Sequence, residues 1–300
     1  MIKTKENSSL RQFHRGKTSA VLRVTGEDAA NFLQGQFTND LRGLTTAGAV
    51  YGLWLNQKGK VVADSFVVAG AAVGEFWIVS YHVAAAALRA RLEDYIIADD
   101  VIVEDFTTQW TCLTLVGAGV LAWFAQAPRV GLSFPGRRAS GETLEWIFPL
   151  SQLPNARMQL AGWAEIDGVA MERRRIAARI PAVPADIGLA DLPGEGGLES
   201  VTISYTKGCY LGQEVMARLK SMGQVRRRLQ RVRGPSAAPL SPAALWQGER
   251  QVGELRSAVN LEEGGFIGLA MVSLVSWQPA QPLALEVAGA AEILVVPEQT

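Results

Sequence analysis

Hydrophobic and polar positions alternate in short runs along most of this chain. Ser19–Thr25 alternates with period two and predicts a strand. Gly26-Glu27-Asp28 then opens a helical stretch, with early carboxylates suited to a helix N-terminus. Val50–Leu55, Val61–Val68 and Phe76–Ser80 read as strands, separated by turn signals at Asn56–Lys60 and Gly70–Gly74. Val83–Ile97 is the clearest helix, with Leu88, Leu92, Tyr95 and Ile96 on one face. A second round follows: strands at Val101–Asp105, Thr111–Val116 and Thr143–Phe148, and a short helix at Leu121–Gln126. Glu165–Arg179 is helical and stops before Pro181, and the Pro- and Gly-rich run Pro181–Gly197 is irregular. Residues 1–18 read as an unstructured lead-in. Strand-rich units carrying helices indicate an α+β fold rather than a doubly wound sheet. Composition shifts at Gly234, where RGPSAAPLSPAALW reads as a linker. Arg250–Val259, Phe266–Val272 and Leu283–Val296 beyond it predict a small all-β unit, a barrel. The expected division is therefore an α+β region at 1–233 and the small all-β unit at 234–300.

Composition narrows the function classes. The 300 residues are 48% apolar and 19% charged, an ordinary globular balance. Lys+Arg and Asp+Glu both number 29, so no global field draws the chain to nucleic acid or membrane. Two cysteines and two histidines cannot supply a four-cysteine zinc or iron–sulfur site, and no metal site is expected. The run Phe76–Leu88 contains Ser80 and His82 and is too short to span a bilayer. With a polar N-terminal stretch, this gives the expectation of a cytoplasmic protein without membrane contact. No P-loop or dinucleotide fingerprint is present.

The most informative segment is Tyr205–Arg218, YTKGCYLGQEVMAR. Cys209 sits between Gly208 and Tyr210, two residues after Lys207 and just before a predicted helix at Gln213–Lys220. A lysine and a helix N-terminus both favour thiolate, the recipe for a reactive cysteine; a small residue filling a tight turn is the plain alternative. Cys112 lies in the apolar WTCLTLV and reads as a core residue. Between Lys207 and Arg233 there are eight basic residues and one acid, Glu214, a stretch suited to phosphates, a polyglutamate tail or RNA. His14 and His82 have no catalytic company and read as surface or capping residues.

The octet Lys207–Glu214, KGCYLGQE, resembles the signature of the YgfZ family, which is similar to the aminomethyltransferase of the glycine cleavage system. Supporting pieces occur in order: FLQGQ at 32–36 with Thr38-Asn39-Asp40, NQKGK at 56–60 followed by Asp64, and Pro193-x-Glu195. The resemblance implies a ring of three domains, two α+β lobes around a central tetrahydrofolate site and a C-terminal β-barrel. It also implies support of iron–sulfur cluster assembly or repair, including clusters of radical tRNA-modifying enzymes, through the motif cysteine. On this basis Cys209, Lys207 and Asp64 are expected to carry the chemistry. Lys207 would lower the thiol pKa or hold an anion. Gln36, Asn56, Glu195, Tyr210, Gln213, Glu214 and Arg218 are expected around the folate, with Glu195 nominated as the pterin's carboxylate. Iron–sulfur client proteins are the expected partners, with tRNA or another polyanion at Lys207–Arg233. The chain departs from the aminomethyltransferase pattern at Ala63, where those relatives carry aspartate, at Ala177, where they carry the pterin-binding glutamate, and at Arg179, where they carry glycine. Two alternatives therefore stand beside the main reading: tetrahydrofolate-dependent aminomethyl transfer, and non-catalytic docking of RNA or protein on the basic stretch.

Overall fold

The computed structural model describes residues 11–44 and 48–297. In chain order the elements are β1 (Gln12–Gly16), β2 (Ala20–Thr25), α1 (Ala29–Gln36), β3 (Ala49–Leu55), β4 (Val61–Ala69), β5 (Phe76–Ser80), α2 (Ala85–Glu93) and β6 (Ile102–Asp105). There follow β7 (Trp110–Val116), α3 (Val120–Ala125), β8 (Leu132–Pro135), β9 (Thr143–Pro149), α4 (Leu153–Gln159), β10 (Ala164–Glu165) and α5 (Gly168–Ala177). A 3-10 turn at Pro193–Gly196, α6 (Glu199–Thr202) and α7 (Gln213–Met222) precede β11 (Arg227–Gly234), β12 (Ala243–Gln247), β13 (Arg250–Asn260), β14 (Phe266–Ser273) and β15 (Leu294–Val295). Three five-stranded sheets result, ordered β10-β1-β7-β9-β8, β3-β4-β5-β2-β6 and β12-β13-β14-β11-β15. Among the described residues no helix is long and apolar enough to cross a membrane.

The chain divides into two compact units that share it in alternation. Among the described residues, one holds 11–32, 41–44, 48–50 and 65–174; the other holds 33–40, 51–64 and 175–297. In the first unit, Phe13, Leu113, Leu115, Trp146 and Phe148 on β1, β7 and β9 form a core with Trp123, Phe124 and Trp163 against it. A fully buried side chain such as Phe148 contributes about 1.5–3 kcal/mol. That packing recruits residues 12–16 from the expected lead-in: Phe13 is buried, and β1 pairs antiparallel with β7 and parallel with β10. Residues 1–10 of that lead-in lie outside the described residues. His14 is thereby fixed in a strand, its Nδ1 2.9 Å from the Ile166 carbonyl oxygen.

The same unit encloses one carboxylate. Glu145 on β9 is fully buried and accepts from Thr114 Oγ1 at 2.7 Å, Tyr81 Oη at 3.0 Å and Cys112 Sγ at 3.1 Å. Arg138 lies with its Nε 3.7 Å from Glu145 and its guanidinium 4.0 Å from the Tyr81 ring centroid. Burial, reinforced by the Glu145 charge, pushes the Cys112 thiol and the Tyr81 phenol well above their ordinary pKa values. Cys112 is the core residue its sequence context indicates.

In the second unit the C-terminal sheet packs Val232, Leu245, Leu255, Phe266 and Val272 into its own core. β11 emerges where the sequence showed only a basic stretch. Four arginines in eight residues hide it, yet Leu229, Val232 and Gly234 are buried and every residue of the strand pairs with β14. The expected strand at 283–296 shrinks to isolated bridges, Trp246 with Ala284 and Leu283 with Ile293, and the two residues of β15. The long predicted helix at 83–97 contracts to α2, with Asp94 as its C-cap.

Candidate functional site

The KGCYLGQE segment lies in the second unit, running from the loop after α6 into the first turn of α7, and its first residue does the anchoring. Lys207 is buried, and its ammonium donates to the carbonyls of Gln34 at 2.6 Å, Phe37 at 2.5 Å and Asn39 at 3.0 Å. These carbonyls lie at and just beyond the C-terminus of α1, where backbone acceptors lack helical partners and the dipole favours a cation. Three donors meeting three acceptors compensate the burial of the charge. Lys207 is thus a clamp on the loop, which corrects the expectation that it tunes the thiol or holds an anion.

Cys209 follows on the loop and is solvent-exposed. Behind it Leu211 N–H donates to Gly35 O at 3.2 Å, tying the loop to α1 a second time. Gly212 caps α7 with φ 87°, and a Cβ there would meet Asn56 O at 2.8 Å, so both conformation and space demand glycine. Gly208 needs no such freedom: a Cβ would meet nothing within 4 Å.

The β3–β4 turn supports the loop from the other side. Asn56 Oδ1 accepts from the backbone N–H groups of Lys58 at 2.9 Å and Lys60 at 3.0 Å, closing the turn on itself. Gly59 has φ 70°, and a Cβ would stand 2.8 Å from Met216 Cε and 2.9 Å from Val215. The turn is therefore seated on α7. Thr38, fully buried, links three segments: its Oγ1 donates to Thr202 O at 2.6 Å and accepts from Leu53 N at 2.9 Å.

The remaining expected residues separate. Asp64 is buried on β4 and accepts from Tyr51 Oη at 2.8 Å. Tyr51 went unnoticed in the sequence; it lies across the β3–β4 hairpin, and only strand register brings the pair together. Glu195 is not a spare carboxylate. Arg227 grips it from Nε and Nη2, both at 3.0 Å, and its Oε2 also accepts from Leu192 N at 2.8 Å. This corrects its nomination as the pterin's partner. Glu214 and Arg218 form an exposed i,i+4 pair at 2.9 Å on α7, and Gln213 begins that helix. Gln36 is half-buried at the end of α1. Tyr210 is buried with its ring 5.2 Å from the Lys207 ammonium, and its hydroxyl has no hydrogen-bond partner among the described residues. Burial first, then Glu199, pushes its pKa up to about 12.

The basic stretch also resolves into parts. Lys207 is spent on carbonyls, Arg218 on Glu214, Arg227 on Glu195 and Asp191, and Arg233 pairs with Glu263 at 3.4 Å. Lys220 lies 3.8 Å from the Tyr205 ring centroid. Three of the eight basic residues, Arg218, Arg227 and Arg233, are thus paired with acids.

Comparison with known proteins follows the same lines. Residues 17–126 match the family model of the GCVT N-terminal domain. The chain is 28% identical over 250 residues to the tRNA-modifying protein YgfZ of Vibrio vulnificus, covering 78% of this chain and 73% of that protein. It is 30% identical over 277 residues to a mitochondrial iron–sulfur cluster assembly factor of Homo sapiens, covering 84% and 74% respectively. The chain belongs to the YgfZ family. Its fold is the mixed α+β architecture of the related aminomethyltransferases. The glycine cleavage aminomethyltransferase of Bartonella henselae superposes with a TM-score of 0.79 over 96% of this chain and 85% of that one. Identity there is 17%, so the likeness is one of fold alone. Within this YgfZ-family chain, Lys207, Cys209 and Gly212 of the octet have distinct duties: clamp, exposed thiol and turn.

Proposed function

We propose that this chain is an accessory factor for iron–sulfur cluster assembly or repair, with Cys209 as its functional thiol. The observation that carries the reading is one exposed cysteine on a loop fastened at Lys207, Leu211 and Gly212, while the other cysteine is fully buried. The kinship with a cluster assembly factor and a tRNA-modifying protein supports it. Iron–sulfur clusters are commonly held by four thiolates. A chain with one accessible thiol can contribute one ligand to a cluster in transit while the client supplies the rest. Ligation displaces only the thiol proton, to solvent, and leaves the oxidation states unchanged. Loop anchoring places the sulfur with little conformational freedom, which lowers the entropic cost of engaging a client.

Tetrahydrofolate enters this reading through the family. Of the residues assigned to it, Glu195 does not fit, because Arg227 and Leu192 occupy its carboxylate. The test is complementation of a cell lacking its own family member, read as activity of a cluster-dependent enzyme at matched protein levels. Cys209→Ala should leave that activity at the level of the empty vector, and Lys220→Ala should restore it. Full restoration by Cys209→Ala would overturn the proposal.

A further inference from the structure

Two arginines of β11 have no acid at hand, and the fold brings a third beside them. Arg228 and Arg231 line a cavity of about 540 Å³ with Arg179, opposite Gly194, Gly196 and Gly197 around the 3-10 turn. No carboxylate lines it among the described residues. Of the acids beside that turn, Asp191 and Glu195 are held by Arg227, and Glu199, whose Oε2 would stand 3.2 Å from a Cβ on Gly194, accepts from the Tyr205 hydroxyl. Beyond its backbone pairing with β14, Arg228 makes no side-chain hydrogen bond or ion pair among the described residues. Arg231 uses one donor on Ala177 O at 2.6 Å. Its guanidinium is depressed below the ordinary pKa by burial and then by Arg179, so two like charges face each other.

Arg179 reaches this place at a conformational cost. α5 ends in a Schellman motif, with Ile180 N donating to Arg175 O at 3.1 Å and Arg179 N to Ile176 O at 3.0 Å. The residue at that position adopts the left-handed conformation that glycine takes without strain, and Arg179 has φ 56°. An arginine held there delivers its guanidinium over β11, where Nη2 bonds Leu229 O at 3.0 Å and Gln230 Oε1 at 3.1 Å. Strained residues of this kind concentrate at ligand clamps. The opposite wall is kept bare for a steric reason: a Cβ on Gly196 would stand 2.6 Å from Ile187 Cγ1.

We propose that this cavity is a binding site for an organic diphosphate, gripped by Arg179, Arg228 and Arg231 with its body against the glycine wall. Three arginines lining one cavity suit an anion with several oxygens on adjacent phosphoryl groups, which arginine binds bidentately. The volume exceeds the needs of a lone phosphate and falls in the range of small-molecule sites, roughly 300–1,000 Å³. The site is separate from the Cys209 loop and does not rest on the function proposed above.

Calorimetry with inorganic diphosphate as the probe, against orthophosphate and a short single-stranded RNA, tests it on the full chain. Diphosphate should bind at least tenfold more tightly than orthophosphate. Arg228→Gln, which removes no existing bond, should weaken diphosphate about 10- to 100-fold. Arg179→Gly retains a backbone suited to its turn and should weaken it comparably, whereas Arg233→Gln on the same strand should leave it unchanged. Absence of diphosphate binding, or binding indifferent to Arg228→Gln, would overturn the site. RNA displacing diphosphate at lower phosphate concentration than orthophosphate does would overturn the small-molecule assignment in favour of a nucleic-acid backbone.

Discussion

Lys207→Met isolates the clamp from the thiol. Methionine preserves most of the stem volume but removes the charge and all three donors. The Phe37 carbonyl bond is buried, and those of Gln34 and Asn39 are partly buried. Each hydrogen bond to a charged group contributes about 1.5–3 kcal/mol, and a buried acceptor left bare costs about 1–3 kcal/mol. Water can return to the two partly buried carbonyls and recover some of the loss. The net is about 3–5 kcal/mol against the second unit, similar to breaking a buried ion pair. At about 2–4 °C per kcal/mol, that lowers its apparent melting temperature by roughly 6–20 °C. Differential scanning calorimetry reads the shift, and alkylation of Cys209 at neutral pH is followed in parallel below the transition. The clamp predicts a large thermal shift with alkylation unchanged or faster, because the loop loosens around an already exposed sulfur. A lysine that activates the thiol predicts slower alkylation at unchanged stability. That second pattern would refute the reasoning, as would a melting shift below about 2 °C.

Four further outcomes follow from the geometry. In the native protein a thiol reagent should label one cysteine rapidly, Cys209, and Cys112 only after denaturation; two rapid equivalents by mass spectrometry would contradict the buried assignment. Glu145→Gln leaves Arg138 enclosed without its counter-charge and should destabilise the first unit by about 3–5 kcal/mol in urea unfolding, whereas an unchanged midpoint would deny the pair any role. Gly59→Ala forces a Cβ against Met216 and Val215 at a positive φ and should cost about 1–3 kcal/mol, visible in the same assay. Tyr210→Phe deletes an unpartnered buried hydroxyl and should be neutral or stabilising at pH 7. Since the folded phenol ionises at about 12, above the ordinary value near 10, the wild type should lose stability as pH rises from about 10 to 12, and Tyr210→Phe should lose less.

Sequence periodicity placed most of the strands and helices because they alternate apolar and polar residues over several positions. β1 and β11 escaped for opposite reasons. β1 is short and polar except for Phe13, and only pairing with β7 makes it a strand. β11 is so rich in arginine that its three buried positions do not register as a pattern. The octet was legible as a unit, whereas the exposure of Cys209 was not. The duty of Lys207 was not legible, since its acceptors lie some 170 residues earlier. Glu195 looked available because its partner, Arg227, stands 32 residues away among other basic residues. Charge counted along the chain misses the acids of Arg227 and Arg233 for the same reason: residues 191, 195 and 263 come near only on folding.

The alternation of the two units along the chain has a consequence for synthesis. Residues 33–40 and 51–64 leave the ribosome early, yet the rest of their unit begins at residue 175. The Phe37 carbonyl must wait for Lys207, a separation of 170 residues. At about 5–20 residues per second, that delay is on the order of 10–30 seconds. Through this interval the end of α1 and the tip of the β3–β4 hairpin can pack on each other, as Phe37 does on Trp54, but lack the surface that residues 175 onward supply. A nascent chain arrested before residue 207 should therefore present them to chaperones and proteases, and no single cut in the gene would release either unit whole.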